Sequence, residues 1–306
     1  MESFRVRHSE PGAERTLLLP LSFGAGSTVL LHLLSQHLQG QTEKTGRTGF
    51  RLHVLHVRDD RHDGESLFQK VKDRFPTHTY SSLPLSDVSS IDDLSSLLSS
   101  GTAAENPQAG NKLDLDGFLA ALDSPTSRTD TIHILRRKLI LNFAKTHTCE
   151  AILWGDSTTR LAERILAETA KGRGISLPWM VADGESPHGV PFYFPMRDLL
   201  SKEIEAFAAQ TQPSLDDLIV KEENKQTISM RDATIDGLMR QYFESVEREY
   251  PSIVANVVKT AGKLEQVELS EVEMQCELCD LPLVDAAPKK SRLCYGCTRT
   301  LGAASG

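Results

Sequence analysis

The sequence has 306 residues, 39% of them hydrophobic and 25% charged, which suits one large globular unit plus an appendage. Its 34 basic against 42 acidic side chains give a formal charge of −8, so it lacks the broad cationic excess needed to coat nucleic acid non-specifically; local basic patches stay open. The opening MESFRVRHSEPGAER holds no apolar signal-peptide core, and no run approaches the roughly 18 apolar residues of a membrane span, so an intracellular protein without a membrane segment is expected.

In chain order, Thr16–Ser22 (TLLLPLS) reads as a strand buried on both faces, and Thr28–Leu38 as a helix with Leu30, Leu31, Leu34 and Leu38 on its apolar side. The polar stretch Gln41–Gly49 reads as a loop. A second strand is expected at Arg51–Val57, a helix at Glu65–Phe75 closed by Pro76, and a weaker third strand at His78–Ser82. This β-α-β-α-β alternation predicts a parallel, doubly wound α/β sheet. Residues 81–127 break the rhythm. Nine of the twenty residues in 81–100 are serine, so this is read as a partly disordered insertion with short amphipathic turns around Ile91–Leu98 and Leu113–Leu122.

The pattern resumes with a helix at Arg128–Thr146, a strand at Ala151–Trp154, a helix at Thr158–Lys171, a last strand at Val190–Phe194 and a helix at Leu199–Gln210. The organisation expected is an α/β domain over 1–210, a helical extension over 211–275 with helices around Ile235–Glu247 and Ile253–Lys263, and a separate C-terminal module over 276–306.

That module carries the most specific chemical signal. Of five cysteines, Cys276, Cys279, Cys294 and Cys297 form C-x2-C-x14-C-x2-C, a spacing that can close a tetrahedral four-thiolate zinc site. Such a site has no open coordination position, so its expected role is structural; an iron–sulfur cluster or a redox dithiol are the rivals. Gly296 suits a turn needing positive φ between paired ligands. Lys289, Lys290, Arg292 and Arg299 suit either phosphate contacts or simple solubility. Cys149 stands alone and reads as a buried structural thiol.

The stretch LLLPLSFGAGSTVLLHLL (17–34) is a strand, a glycine-rich turn and a helix, the construction of a phosphate loop. It lacks the Lys of a P-loop and the third Gly of a dinucleotide fingerprint. It is most similar to S-G-G-x-D-S, the pyrophosphate loop of ATP pyrophosphatases. Ser22, Gly24 and Ser27 match, while Phe23 replaces a glycine and Gly26 replaces the acid. Ser22, Ser27 and Thr28 retain hydroxyls for phosphate; the bland alternative is a ligand-free turn with Ser27 or Thr28 as an N-cap. Further on, WGDSTTRLAE (154–163) keeps Gly155 and Glu163 of the G-H-x-x-D-D-x-x-E junction found in some ATP pyrophosphatases and lacks its acidic pair.

With GDSTTRLAERILAETAKGRG, LPW, FPMRDLLSKEI and the closing cysteine pairs, the chain resembles the cytoplasmic tRNA 2-thiolation protein 2 family from Phe4 to Cys297. The resemblance implies an ATP-pyrophosphatase-like (PP-loop) fold and a cytoplasmic protein. It also implies a heterodimer with a related catalytic subunit, with sulfur delivered from a thiocarboxylated ubiquitin-related modifier to the wobble uridine of tRNA. ATP would act at the level of the complex, and this subunit would be the supporting half, non-catalytic or only weakly nucleotide-binding, without catalytic residues. Members of the family usually start with another cysteine-rich segment, which this sequence, beginning MESFRV, does not carry.

Arg160, Arg164, Lys171, Arg173 and Arg197 are the candidate contacts to tRNA or the partner, with Gly172 and Gly174 freeing the backbone near a phosphate. The alternative for the arginines is a solvated face with local pairs, Arg160–Glu163 and Arg164–Glu168. Arg136, Arg137 and Lys138 read as the wet side of their helix. Two further functional readings stand beside the supporting subunit: a self-sufficient ATP-dependent tRNA-modifying enzyme, and a zinc-ribbon interaction protein unconnected with RNA.

Overall fold

The structure, a computed structural model, describes residues 15–58, 64–91, 115–221, 233–265, 268–272, 274–283 and 292–302. The serine-rich stretch after Ile91, as well as Lys289 and Lys290, lies outside them.

Strand β1 (Thr16–Pro20) leads into helix α1 (Ala25–Thr45), then β2 (Arg51–Arg58), α2 (Gly64–Arg74) and β3 (Thr79–Pro84). After a 3-10 turn at Leu85–Ser90 come α3 (Leu115–Ala121), α4 (Pro125–Thr146), β4 (Ala151–Leu153), α5 (Thr158–Ala170), α6 (Leu177–Val181), β5 (Phe192–Tyr193) and α7 (Ser201–Gln210). Helices α8 (Ile235–Glu249), α9 (Pro251–Ala261) and α10 (Tyr295–Leu301) complete the chain. The sheet is five-stranded and parallel, in the order β3-β2-β1-β4-β5. Its direction of winding reverses between β1 and β4, where the turns after those two strands face one another.

Each central strand is covered twice, as its continuous apolar run requires. Leu17 and Leu19 of β1 join Val54 and Leu153 on the face covered by α1, α2 and α7. Leu18, Leu55 and Ile152 belong to the opposite face, under α4, α5, α8 and α9. Cys276, Leu278, Cys279, Leu281 and Cys297 are buried in that second cluster. The C-terminal segment, expected as a separate module, therefore packs into the core of the α/β unit. Part of the expected insertion does the same, through Val88, Phe118, Leu119 and Leu122.

Local signals explain most boundaries. Helix α1 runs seven residues past Leu38, through part of the expected loop, because Gly46 adopts φ 70° and its N–H bonds Thr42 O, a left-handed C-cap. Helix α4 opens at Pro125, with the Ser124 side chain accepting from Ser127 N–H. Strand β5 is only two residues long.

A buried acid helps fasten the helical extension. Glu247 of α8 is buried; it accepts from Thr159 Oγ1 (2.7 Å) on α5 and from the backbone N–H of Lys202 (2.9 Å) at the start of α7. Its carboxylate thus satisfies an orphan amide at the positive end of a helix. Glu247→Ala should lower unfolding stability by about 1–3 kcal/mol, while Glu249→Ala on the exposed side stays within about 0.5 kcal/mol; urea denaturation of the two variants checks this.

Candidate functional site

The turn after β1, residues 21–24, leads directly into α1. Phe23 stands at φ 60°, the left-handed conformation in which glycine is favoured, so a bulky residue has taken a glycine's geometry. Its ring does not project into the turn. It is buried against His56 (centroids 4.4 Å apart) and Phe68 (6.4 Å), and its carbonyl accepts from Val220 N–H. Burial lowers the pKa of His56, whose Nδ1 lies 2.9 Å from Leu21 O.

Gly26, where the acid of the related loop would stand, is held by contact. A Cβ there would lie 2.0 Å from the carbonyl oxygen of Gly155, and a Cβ on Gly155 would lie 2.6 Å from Ser27 N and Cα. Real side chains never tolerate such distances, so two glycines let the β1–α1 and β4–α5 turns touch backbone to backbone at the switch point. The two serine hydroxyls are engaged with the loop itself, whereas the buried Thr28 Oγ1 has no hydrogen-bond partner among the described residues. Ser22 Oγ and Ser27 Oγ lie 3.2 Å apart, Ser27 Oγ donates to Gly24 O, and Gly24 N–H donates to Ser22 Oγ. Gly24 is the N-cap of α1, without a side-chain cap, so neither Ser27 nor Thr28 caps it. Thr28 is fully buried.

The second junction has also been put to structural use. Thr158 Oγ1 donates to Arg197 O (2.6 Å), Thr159 to Glu247, Asp156 pairs with Arg164 (2.9 Å) and Glu163 with Arg160 (2.9 Å). The Arg160–Glu163 pair is the local one anticipated; Arg164 takes Asp156 in place of Glu168. Arg197 lies 3.8 Å from Asp183 and is partly exposed.

Lys171 and Arg173 are not surface contacts. They are 5% and 3% exposed, because Glu168 nearby in sequence and Asp130 and Asp236 far from it enclose them. Lys171 Nζ meets Glu168 (2.7 Å), Asp130 (2.9 Å) and Asp236 (3.0 Å); Arg173 meets Asp130 and Glu168, each at 2.5 Å. Burial opposes charge on Glu168, but Arg173 and Lys171 outweigh it and hold that carboxyl far below its usual range. Gly172, at φ 86°, seats the Tyr295 ring: a Cβ would stand 2.5 Å from Cδ1. Lys138, expected on a wet helix side, is buried and bonds Asp280 (2.7 Å) and Glu277 O (3.0 Å).

The four cysteines converge. Their sulfurs all lie within 4.8 Å of one another, and Cys279 and Cys294 are 3.8 Å apart. Bonds of about 2.3 Å to one tetrahedral ion place sulfurs about 3.8 Å apart, so the donor set fits a single metal ion. Amides support two of the sulfurs: Cys294 N–H donates to Cys276 Sγ and Cys297 N–H to Cys294 Sγ. Positive φ falls on Asp280 and not on Gly296, whose need for glycine is steric: a Cβ would lie 2.7 Å from Arg173 Cγ. Cys149 is buried, which pushes its thiol up to about 11. No helix among the described residues is long and apolar enough to cross a membrane.

A family described as cytoplasmic tRNA 2-thiolation protein 2 matches residues 234–292. Curated relatives of that name align far more widely. The one from Phaeosphaeria nodorum is 43% identical over 98% of this chain and 85% of its own length. The one from Sclerotinia sclerotiorum is 44% identical over 87% of this chain and 74% of its own. Among solved structures, the U34-tRNA thiolase NcsA from Methanococcus maripaludis, determined with its 4Fe-4S cluster, has a TM-score of 0.57 at 14% identity, covering 90% of this chain and 78% of the thiolase. That likeness shows a shared fold.

The Gly26–Gly155 contact yields a prediction opposite to the one the loop sequence invites. Gly26→Asp, which reinstates the acid of the pyrophosphate loop, should destabilise the protein by roughly 2 kcal/mol or more, because the turn after β4 must move. Thermal melts of Gly26→Asp beside Gly40→Asp, which meets open space on α1, test it.

Proposed function

This chain belongs to the cytoplasmic tRNA 2-thiolation protein 2 family, and from that premise we propose that it is the supporting subunit of a tRNA-thiolating pair, without catalytic residues of its own. One observation carries this reading: at the switch point, where a doubly wound sheet opens to its ligand, Gly26 and Gly155 bring the two turns into backbone contact. In an adenylating enzyme of this fold that region holds pyrophosphate on helix amides beside an acid. Here the acid's place is filled by the neighbouring turn, and the junction after β4 spends its hydroxyls and carboxylates on packing.

ATP is then bound and cleaved by a related catalytic subunit in a heterodimer. Adenylation of the wobble uridine of cytosolic tRNA makes its oxygen a leaving group, and sulfur arrives as a thiocarboxylate on a ubiquitin-related modifier. Arg160, Arg164 and Arg197, each partly exposed at the C-terminal side of the sheet, are the cations left for tRNA phosphate or the partner. The four-cysteine site holds zinc in a structural role, a reading supported by the 3.8 Å sulfur spacing and by four thiolates with no place for a reactant.

Deletion of the gene, read by mass spectrometry of cytosolic tRNA, should abolish wobble 2-thiouridine, with full recovery from the wild-type chain and from Ser22→Ala/Ser27→Ala. Normal 2-thiouridine after deletion would refute the role in thiolation. Failure of a folded Ser22→Ala/Ser27→Ala chain to restore it would mean that the loop still handles phosphate.

A further inference from the structure

Arg173 spends its three guanidinium nitrogens on three different elements. Nε donates to Glu168 of α5 and Nη2 to Asp130 of α4, each at 2.5 Å, while Nη1 points to Cys297 Sγ of α10 at 4.0 Å. The approach is enforced from the other side. Gly296 leaves no room for a side chain, its Cβ position lying 2.7 Å from Arg173 Cγ and 2.9 Å from Nη1. One turn beyond Cys297, Thr300 Oγ1 donates to the second oxygen of Asp130 at 2.7 Å. Lys171 extends the same cluster to Asp236 of α8.

Four thiolates around one divalent ion leave two negative charges, and three of the four cysteines are buried. Such charge needs donors in the outer shell to remain away from water. The amides of Cys294 and Cys297 serve Cys276 and Cys294. The donor aimed at Cys297 is a full cation, its side chain buried and fixed by two carboxylates.

We propose that Arg173 is a positioning residue of the metal site, a fixed outer-shell cation that orients Cys297 and makes metal binding and the docking of α10 and α8 onto α4 and α5 one linked equilibrium. This rests on the reading of the four cysteines as a metal site. The site is thereby part of the α/β core, and a residue that looks like a phosphate contact in sequence serves sulfur.

The test uses the full-length chain. Zinc affinity is measured by competition with a chromogenic chelator, and the cobalt-substituted protein reports the thiolate-to-metal absorption band. Arg173→Met should weaken zinc about 10–100-fold and alter the cobalt band, Arg173→Lys should recover part of both, and Arg292→Ala, at an exposed cation of the same segment, should stay within about twofold of wild type. A folded Arg173→Met chain with wild-type affinity and an unchanged cobalt band overturns the proposal. If Arg173→Met does not fold, hydrogen exchange of the wild type decides. Chelation should strip protection from the amides of Arg173 and Ser176, which bond Glu168 O and Arg173 O, and unchanged protection there overturns it. A wild-type chain that binds no metal defeats the metal reading and this inference with it, whereas metal bound equally by wild type and Arg173→Met defeats this inference alone.

Discussion

Two glycines meet where a doubly wound sheet would ordinarily part. Because neither Gly26 nor Gly155 has a Cβ, the turn after β1 lies directly on the turn after β4, backbone against backbone. The other departures are consistent with this contact. Phe23 holds a left-handed conformation that costs an L-residue roughly 1–2 kcal/mol, and burial of its ring beside His56 and Phe68 offsets that cost. Phe23 of the turn serves the interior, while Ser22 beside it is exposed.

The same conversion runs along α5. Thr158, Thr159 and Glu163 stand in the first two turns of α5, and each is engaged by a structural partner, in the loop before α7, in α8 or in α5 itself. At its far end the helix gives Glu168, and the residues just beyond give Lys171 and Arg173, to a buried charge cluster completed by Asp130 of α4 and Asp236 of α8. Pairing in such a cluster matters more than its net energy, since a buried charge stripped of its partner is strongly destabilising. The extension, the cysteine segment and the α/β core are thus joined through this cluster.

What the sequence made legible follows its periodicities. The parallel sheet, its strand positions and the main helices were readable because Leu17–Leu19, Arg51–Arg58 and α5 carry unmistakable apolar patterns. The cysteine set was readable because ligand spacing is a local property. Boundaries that depend on a single cap were misplaced: α1 runs on to Gly46 through residues with no apolar face, and α4 begins at the Ser124–Pro125 signal, earlier than its periodicity suggests. The fate of Lys171 and Arg173 was hidden, since beside the local Glu168 their carboxylates come from positions 130 and 236, which only the fold brings to them. Gly26 reads in sequence as a lost acid; in the structure it is a requirement of packing, because Gly155 is its neighbour only in space.

The central claim is that the chemistry of thiolation lies outside this chain. ATP-to-AMP turnover by the isolated, metal-loaded protein in the presence of tRNA tests it most directly. We predict no turnover above background, with activity appearing when the related catalytic subunit is added; robust turnover by this chain alone would contradict the account.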